Sequence, residues 1–149
     1  MPYKKLAINP EKSFSSKMED PNITGILFLK NLEKSANPFK WYSSKIAGVP
    51  FILRNLLTFK RSGLKTLAVF MEDPTGDIQN SFKEILKDHR LSQDIIWLGN
   101  FNLLKKWIQN SPDPVYILNG SVLHDKKDLY QIVHSKTQNR HNSFFFLKP

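Results

Sequence analysis

Cysteine is absent from the 149 residues of this chain. Without thiols the chain forms no disulfide, holds no thiolate-bound metal and has no cysteine nucleophile. The redox compartment is left undefined, and we expect a cytoplasmic location by default. Long apolar runs are missing too, since none approaches the ~20 residues of a membrane-spanning helix. Residues 1–21 also contain no apolar stretch of signal-peptide length, so we expect neither a membrane span nor a secretory leader.

Acidic residues are scarce relative to basic ones. The chain has 13 Asp and Glu against 22 Lys and Arg, which gives a formal net charge of +9. The excess lies at the two ends, with +4 in residues 1–48, +1 in residues 49–99 and +4 in residues 100–149. Such a balance favours anionic partners such as nucleotides, nucleic acid or an acidic membrane face.

Apolar runs of strand length alternate with stretches of helical spacing along the chain. The runs predict strands near residues 23–29, 65–71, 94–98 and 115–118, with a last strand at 143–147. The helical stretches predict a helix that opens at Gly48-Val49-Pro50 and ends before Gly63, and three others that begin near Asp77, Phe101 and Asp125. The stretch from Lys30 to Ala47 has no clean period and is interpreted as a long loop.

This alternation predicts the fold class and the domain organisation. Strands that alternate with helices form parallel sheets with right-handed crossovers. We therefore predict an α/β fold, a three-layer α/β/α arrangement around a mostly parallel, Rossmann-like sheet, with the first strand beside the second and fourth. Residues 1–22 are interpreted as an N-terminal arm or extended lead-in, and residues 23–149 as a single α/β domain.

Ligands of such sheets bind beyond the carboxyl ends of the strands, where the strand order reverses. Two predicted loops there carry the candidate binding residues. Basic side chains after the first strand are candidates for phosphate binding, although a solvated lysine-rich loop is the simpler interpretation: Lys30, Lys34, Lys40 and Lys45. Side chains suited to a nucleotide pocket follow the fourth strand or sit in the first loop: Trp41, Asn119, Gly120, Ser121 and His124.

Acidic residues near these loops have a structural interpretation that we favour. Asp125 is a weak candidate for a metal ligand, but its position before Asp128 is typical of a helix cap with an acid in the first turn. Glu72, Asp73 and Asp77 similarly fit a turn and a helix start. For His124 we likewise favour a solvated loop residue over a pocket residue. The sequence thus assigns no metal site.

Residues 45–57, which read KIAGVPFILRNLL, resemble part of the GT-A type of nucleotidyltransferase. Those enzymes carry a K-V-x-G-x-P-L-L-x-R stretch between their phosphate-binding loop and their second strand. The chain is most similar to the inositol-phosphate cytidylyltransferase-like domains that often precede a membrane CDP-alcohol phosphotransferase. The resemblance covers roughly residues 23–135, about half of such a domain. It implies a truncated GT-A-like half, a nucleotide ligand and a membrane-bound phosphotransferase as a candidate partner.

The chain departs from that family at three places. No glycine follows the first predicted strand between Phe28 and Ser35, where the family has a Gly-rich phosphate loop. The family's Lys-Pro signature aligns with Trp41-Tyr42. Its metal-binding Asp-x-Asp aligns with the neutral residues 119–121, and its acceptor-binding part would lie beyond Pro149.

These departures favour a degenerate nucleotidyltransferase-like domain that serves as a binding or scaffold module for a nucleotide or a phosphorylated polyol. We expect no catalysis by the isolated chain and no cofactor, with Mg²⁺ needed only if the chain is active. One alternative is an active cytidylyltransferase that needs a missing C-terminal half or a partner. Another is a basic module that binds RNA or anionic lipid.

Overall fold

The computed structural model describes residues 22–31 and 37–134. The predicted arm, the predicted strand at 143–147 and the candidate Lys34 lie outside these residues. The described elements are, in chain order, β1 (Thr24–Phe28), α1 (Pro38–Tyr42), β2 (Lys45–Ile46), β3 (Val49–Pro50), α2 (Phe51–Arg61), β4 (Thr66–Phe70), α3 (Asp77–Leu86), a 3-10 turn (His89–Leu91), β5 (Ile96–Leu98), α4 (Phe101–Asn110), β6 (Val115–Asn119) and α5 (Lys126–His134).

Four of the strands form one parallel sheet in the order β5-β4-β1-β6. The prediction that the first strand lies beside the second and the fourth is confirmed. In this register Phe28, at the end of β1, is level with Phe70 on β4 and Asn119 on β6. The carboxyl ends of these three strands therefore meet at one edge of the sheet.

Helices cover both faces of the sheet, which makes the architecture three-layered as predicted. Alternate strand residues face opposite sides, because successive side chains of a strand point to opposite faces. Leu27 and Val69 belong to the core that α1, α2, α3 and α5 cover, whereas Ile26 and Ala68 belong to the core under α4. None of the helices in the described part of the chain is long and apolar enough to cross a membrane.

The predicted long loop at 30–48 is wrong, since it contains α1 and most of a short hairpin. Asn37 caps α1 by accepting a hydrogen bond from the backbone N–H of Lys40 (3.3 Å), and Pro38 fits the first turn. β2 and β3 pair across Ala47 and Gly48, whose positive φ angles of 49° and 77° suit a two-residue hairpin turn.

The predicted helix starts need two corrections. Val49 and Pro50 form β3, so α2 begins at Phe51 because the hairpin takes the residues before it. The predicted cap at Asp77 is made instead by Asp73, whose carboxylate accepts hydrogen bonds from the backbone N–H groups of residues 78 and 79 (3.2 and 2.8 Å). The C-terminus of α2 is as predicted, with Gly63 at a φ of 97°.

The strand order reverses between β1 and β6. The chain adds β4 and then β5 on one side of β1, and it returns through α4 to place β6 on the other side. The carboxyl ends of β1 and β6 thus form the crevice where doubly wound sheets bind ligands. The loops after these two strands face each other there.

Gly120 allows the two strand ends to approach closely. Its backbone N–H donates to the carbonyl of Phe28 (2.7 Å), and a Cβ at this position would overlap Leu29 and lie 2.8 Å from that carbonyl oxygen. Backbone atoms cannot yield as the end of a flexible side chain can. The crevice is therefore closed at its base by a backbone contact that only glycine permits.

Substitution Gly120→Ala should lower the free energy of unfolding by about 1–3 kcal/mol, because the new methyl group overpacks the contact between β1 and β6. Urea denaturation measures this change. Gly99→Ala is the matched control, since a Cβ there meets its neighbours at ordinary distances of 3.5 Å or more. Equal unfolding free energies for the two variants would contradict the close-approach role of Gly120.

Candidate functional site

Tyr42, which is not among the predicted site residues, lies between the loops after β1 and β6. It is completely buried, and its hydroxyl accepts a hydrogen bond from the backbone N–H of Lys30 (3.0 Å) and donates to the Lys30 carbonyl (3.1 Å). The same oxygen lies 3.1 Å from Oγ of Ser121. Burial raises the pKa of Tyr42, while the hydrogen bonds to Ser121 and to Lys30 lower it. The phenol is a structural bridge between the loops after β1 and β6.

Trp41 points the other way, although it was the predicted pocket residue. Its side chain is 40% exposed and packs edge-to-face against Tyr42 and Phe51, with ring centroids 4.8 and 4.9 Å away. Successive residues of a helix lie about 100° apart around its axis. When α1 turns Tyr42 into the crevice, Trp41 therefore lies on the outer surface.

The loop after β6 satisfies most of its polar groups internally. Oδ1 of Asn119 accepts a hydrogen bond from the backbone N–H of Ser121 (2.9 Å). Nε2 of His124 lies 2.7 Å from the Asn119 carbonyl oxygen, and because a carbonyl can only accept, this ring nitrogen carries the proton. The predicted pocket residues Asn119, Ser121 and His124 do lie together, and they bind one another.

Asn55 of α2 anchors the same loop, and the sequence analysis missed it. Its side chain is 1% exposed, donates to the carbonyl of Val122 (2.8 Å) and accepts from the backbone N–H of His124 (3.2 Å). A buried amide needs such partners because leaving it unpaired is costly. The available signal was a polar residue inside the apolar stripe of α2, between Leu53 and Leu56.

His124 is half-buried against the ring of Phe59, with centroids 5.5 Å apart. Burial lowers the pKa of His124 because the charged imidazolium loses hydration, although the hydrogen bond to Asn119 opposes this shift. The neutral ring is thus the form that the folded protein favours.

Three of the four predicted phosphate-binding lysines are described, and all three are exposed: Lys30, Lys40 and Lys45. An ion pair joins Asp88 and Arg90, whereas none of these three ammonium groups has a carboxylate partner within the described part of the chain. Lys30 follows the end of β1, and its backbone is held by Tyr42. Lys40 and Lys45 flank Tyr42 in the chain, and Ser44 between them donates to the Lys40 carbonyl (2.8 Å).

Asp125 has a capping role. Its Oδ1 accepts hydrogen bonds from the backbone N–H groups of Lys127 (2.7 Å) and Asp128 (3.3 Å) at the start of α5. Within residues 22–31 and 37–134 no three His, Asp or Glu side chains lie close enough to hold a metal ion together.

Comparison with protein-family models, with curated proteins and with solved structures finds no match to this chain. The resemblance to nucleotidyltransferases therefore stays a prediction.

Substitution Tyr42→Phe should lower the free energy of unfolding by about 1–3 kcal/mol, because the N–H and carbonyl of Lys30 lose their partner while the ring is kept. Urea denaturation again measures the change. Tyr116→Phe is the control, since no described residue hydrogen-bonds the hydroxyl of this half-buried tyrosine. If both variants lose the same stability, the phenol of Tyr42 is not the bridge.

Lowering the pH from about 7.5 to about 5 should destabilise the protein through His124. The folded-state pKa lies below the ordinary value of 6.5, so the unfolded chain binds the proton first. The contribution of His124 is complete above 6.5 and is lost as the pH falls through the folded-state pKa. Equilibrium unfolding at several pH values measures the slope.

His124→Gln should flatten this pH dependence, whereas His89→Gln, at an exposed position, should keep it. Identical slopes in both variants would show that His124 is not the responsible group.

Proposed function

We propose that this chain is a non-catalytic binding module that takes a nucleotide or a phosphorylated polyol at the carboxyl edge of its parallel sheet. The observation that carries this proposal is a set of exposed lysines in the segment after β1, Lys30, Lys40 and Lys45, which have no carboxylate partner among the described residues. Parallel sheets bind ligands at this point, and ammonium groups without carboxylate partners are suited to phosphate.

The hydrogen bonding inside the crevice favours binding over catalysis. A general base or a nucleophile needs a polar group that is free to meet the substrate. The hydroxyl of Tyr42, the amide of Asn119 and Nε2 of His124 instead each bind another part of the fold. A ligand would meet lysine side chains on the rim of the crevice rather than reactive groups within it.

The backbone N–H groups at the loops after β1 and β6 are not free to hold a phosphate group. In Gly-rich loops the backbone N–H groups hold phosphate directly. Here the N–H of Lys30 donates to Tyr42, and that of Ser121 donates to Asn119. Recognition therefore falls to flexible side chains, which predicts modest and salt-dependent affinity.

Calorimetry at low salt should detect binding of nucleoside triphosphates or inositol phosphates, and each of Lys30→Gln and Lys45→Gln should weaken it about fivefold. An exposed charge interaction of this kind is worth about 1 kcal/mol. The double variant Lys105→Gln/Lys106→Gln removes two exposed charges from α4, which covers the opposite face, and should leave the affinity within about twofold.

Three outcomes would contradict the proposal. The first is that none of the nucleotides and inositol phosphates binds, and the second is that the α4 control loses as much affinity as the Lys30 and Lys45 variants. The third is release of pyrophosphate from CTP, with Mg²⁺ and phosphorylated polyols present, if Asp125→Asn abolishes the turnover.

A further inference from the structure

Two exposed apolar side chains lie over the N-terminal half of α2. Trp41 is 40% exposed, and its ring packs against Phe51 in the first turn of that helix. Leu123 is 48% exposed, and Asn55, one turn after Phe51, holds the backbone on both sides of it. Residues four apart on a helix share one face. The segments that carry Trp41 and Leu123 are therefore anchored at neighbouring places on one helix.

Both side chains are presented by fixed backbone. The helix that carries Trp41 is tied to the sheet edge by the buried hydroxyl of Tyr42. The loop that carries Leu123 is tied to α2 by the buried amide of Asn55. Binding of a partner to these side chains therefore costs little conformational entropy of the backbone that carries them.

The chain segment that contains Trp41 and α2 is strongly basic. Residues 37–71 contain six Lys and Arg and no Asp or Glu, whereas residues 72–94 contain three Lys and Arg against six Asp and Glu. Lys40 precedes Trp41, and Arg54 lies one turn from Phe51 on α2. The nearest acid in the chain to Leu123 is Asp125, whose charge faces the first turn of α5.

We infer that this surface docks on an anionic lipid bilayer. The docking face consists of Trp41, Leu123, Lys40, Lys45 and Arg54. Trp side chains favour the boundary between headgroups and acyl chains, and basic residues beside it are attracted to anionic headgroups. The two apolar tips enter the interface while the basic side chains contact lipid phosphates. The inference rests on the proposed function for the basic residues, because Lys40 and Lys45 belong to both sites. The apolar part of the docking face depends on Leu123, which the proposed function does not use.

A membrane fits this face better than RNA does. Base stacking needs the open flat face of an aromatic ring. The other exposed apolar side chain of this face, Leu123, is aliphatic and has no ring on which a base could stack. Aliphatic side chains gain free energy by leaving water for acyl chains but stack poorly on bases.

Vesicle co-flotation tests the apolar half, with phosphatidylcholine vesicles compared with vesicles that contain about 30% phosphatidylserine. The chain should float with the anionic vesicles only. Leu123→Ala should weaken partitioning about fivefold, because part of an isobutyl group no longer leaves water. Leu103→Ala on α4 is the matched control, because Leu103 is 47% exposed on the opposite face, and it should change partitioning less than twofold.

The charged half is tested with the same vesicles. Lys40→Gln/Lys45→Gln should weaken partitioning about 25-fold, since each basic residue near an anionic surface contributes about fivefold. Lys105→Gln/Lys106→Gln is the control and should have little effect. Brominated lipids should quench tryptophan fluorescence in the unaltered chain, and Trp41→Phe should remove that quenching while Trp97 and Trp107 remain.

Equal partitioning of Leu123→Ala and Leu103→Ala, or no binding to anionic vesicles, would overturn the inference. Binding to polyuridylate RNA that depends on Lys40 and Lys45, without vesicle binding, would overturn it in favour of RNA. Lys30 belongs to the proposed anion site but is not among the residues assigned to the docking face, so its substitution separates the two proposals. If Lys30→Gln weakens the binding of soluble phosphates while Leu123→Ala leaves vesicle partitioning unchanged, only the docking inference fails. If Leu123→Ala weakens vesicle partitioning while no soluble phosphate binds the chain, only the proposed function fails.

Discussion

The carboxyl edge of the sheet depends on the hydroxyl of Tyr42. Where β1 ends, the backbone of Lys30 leaves the hydrogen-bonded ladder, and its N–H and carbonyl groups need new partners. One phenolic oxygen serves both groups and also reaches Ser121 after β6. The position of α1, and of the hairpin that follows it, is consequently fixed relative to the point where the strand order reverses.

The hydrogen bonds of Tyr42 determine which polar groups at the carboxyl edge of the sheet are free to contact a ligand. With Tyr42 inside the crevice and Asn55 holding the loop after β6, the polar groups that could meet a ligand are already bonded to the fold. Lys30, Lys40 and Lys45 remain at the rim, where their charges have no carboxylate partner among the described residues. A rim of this kind suits attraction of anions more than orientation of a reacting group.

Charge is divided along the chain. The acid-free residues 37–71 build α1, the hairpin, α2 and β4, while the acid-rich residues 72–94 build α3 and the turns beside it. Trp41 belongs to the acid-free segment, and Asn55 of that segment holds the backbone on both sides of Leu123. An apolar patch within a basic field is a surface that an anionic and partly apolar partner can cover.

The sequence by itself determined the features that depend on local pattern. Apolar runs predicted the four strands of the parallel sheet, and their alternation with helices predicted the neighbours of β1. Asp125 and Gly63 were recognised because capping involves residues close in sequence. Only the tertiary structure decided that Tyr42 enters the crevice while Trp41 stays outside. Adjacent aromatics look alike in a sequence, and α1 is too short to be stable alone, so its orientation is set by contacts with residues as distant as Ser121.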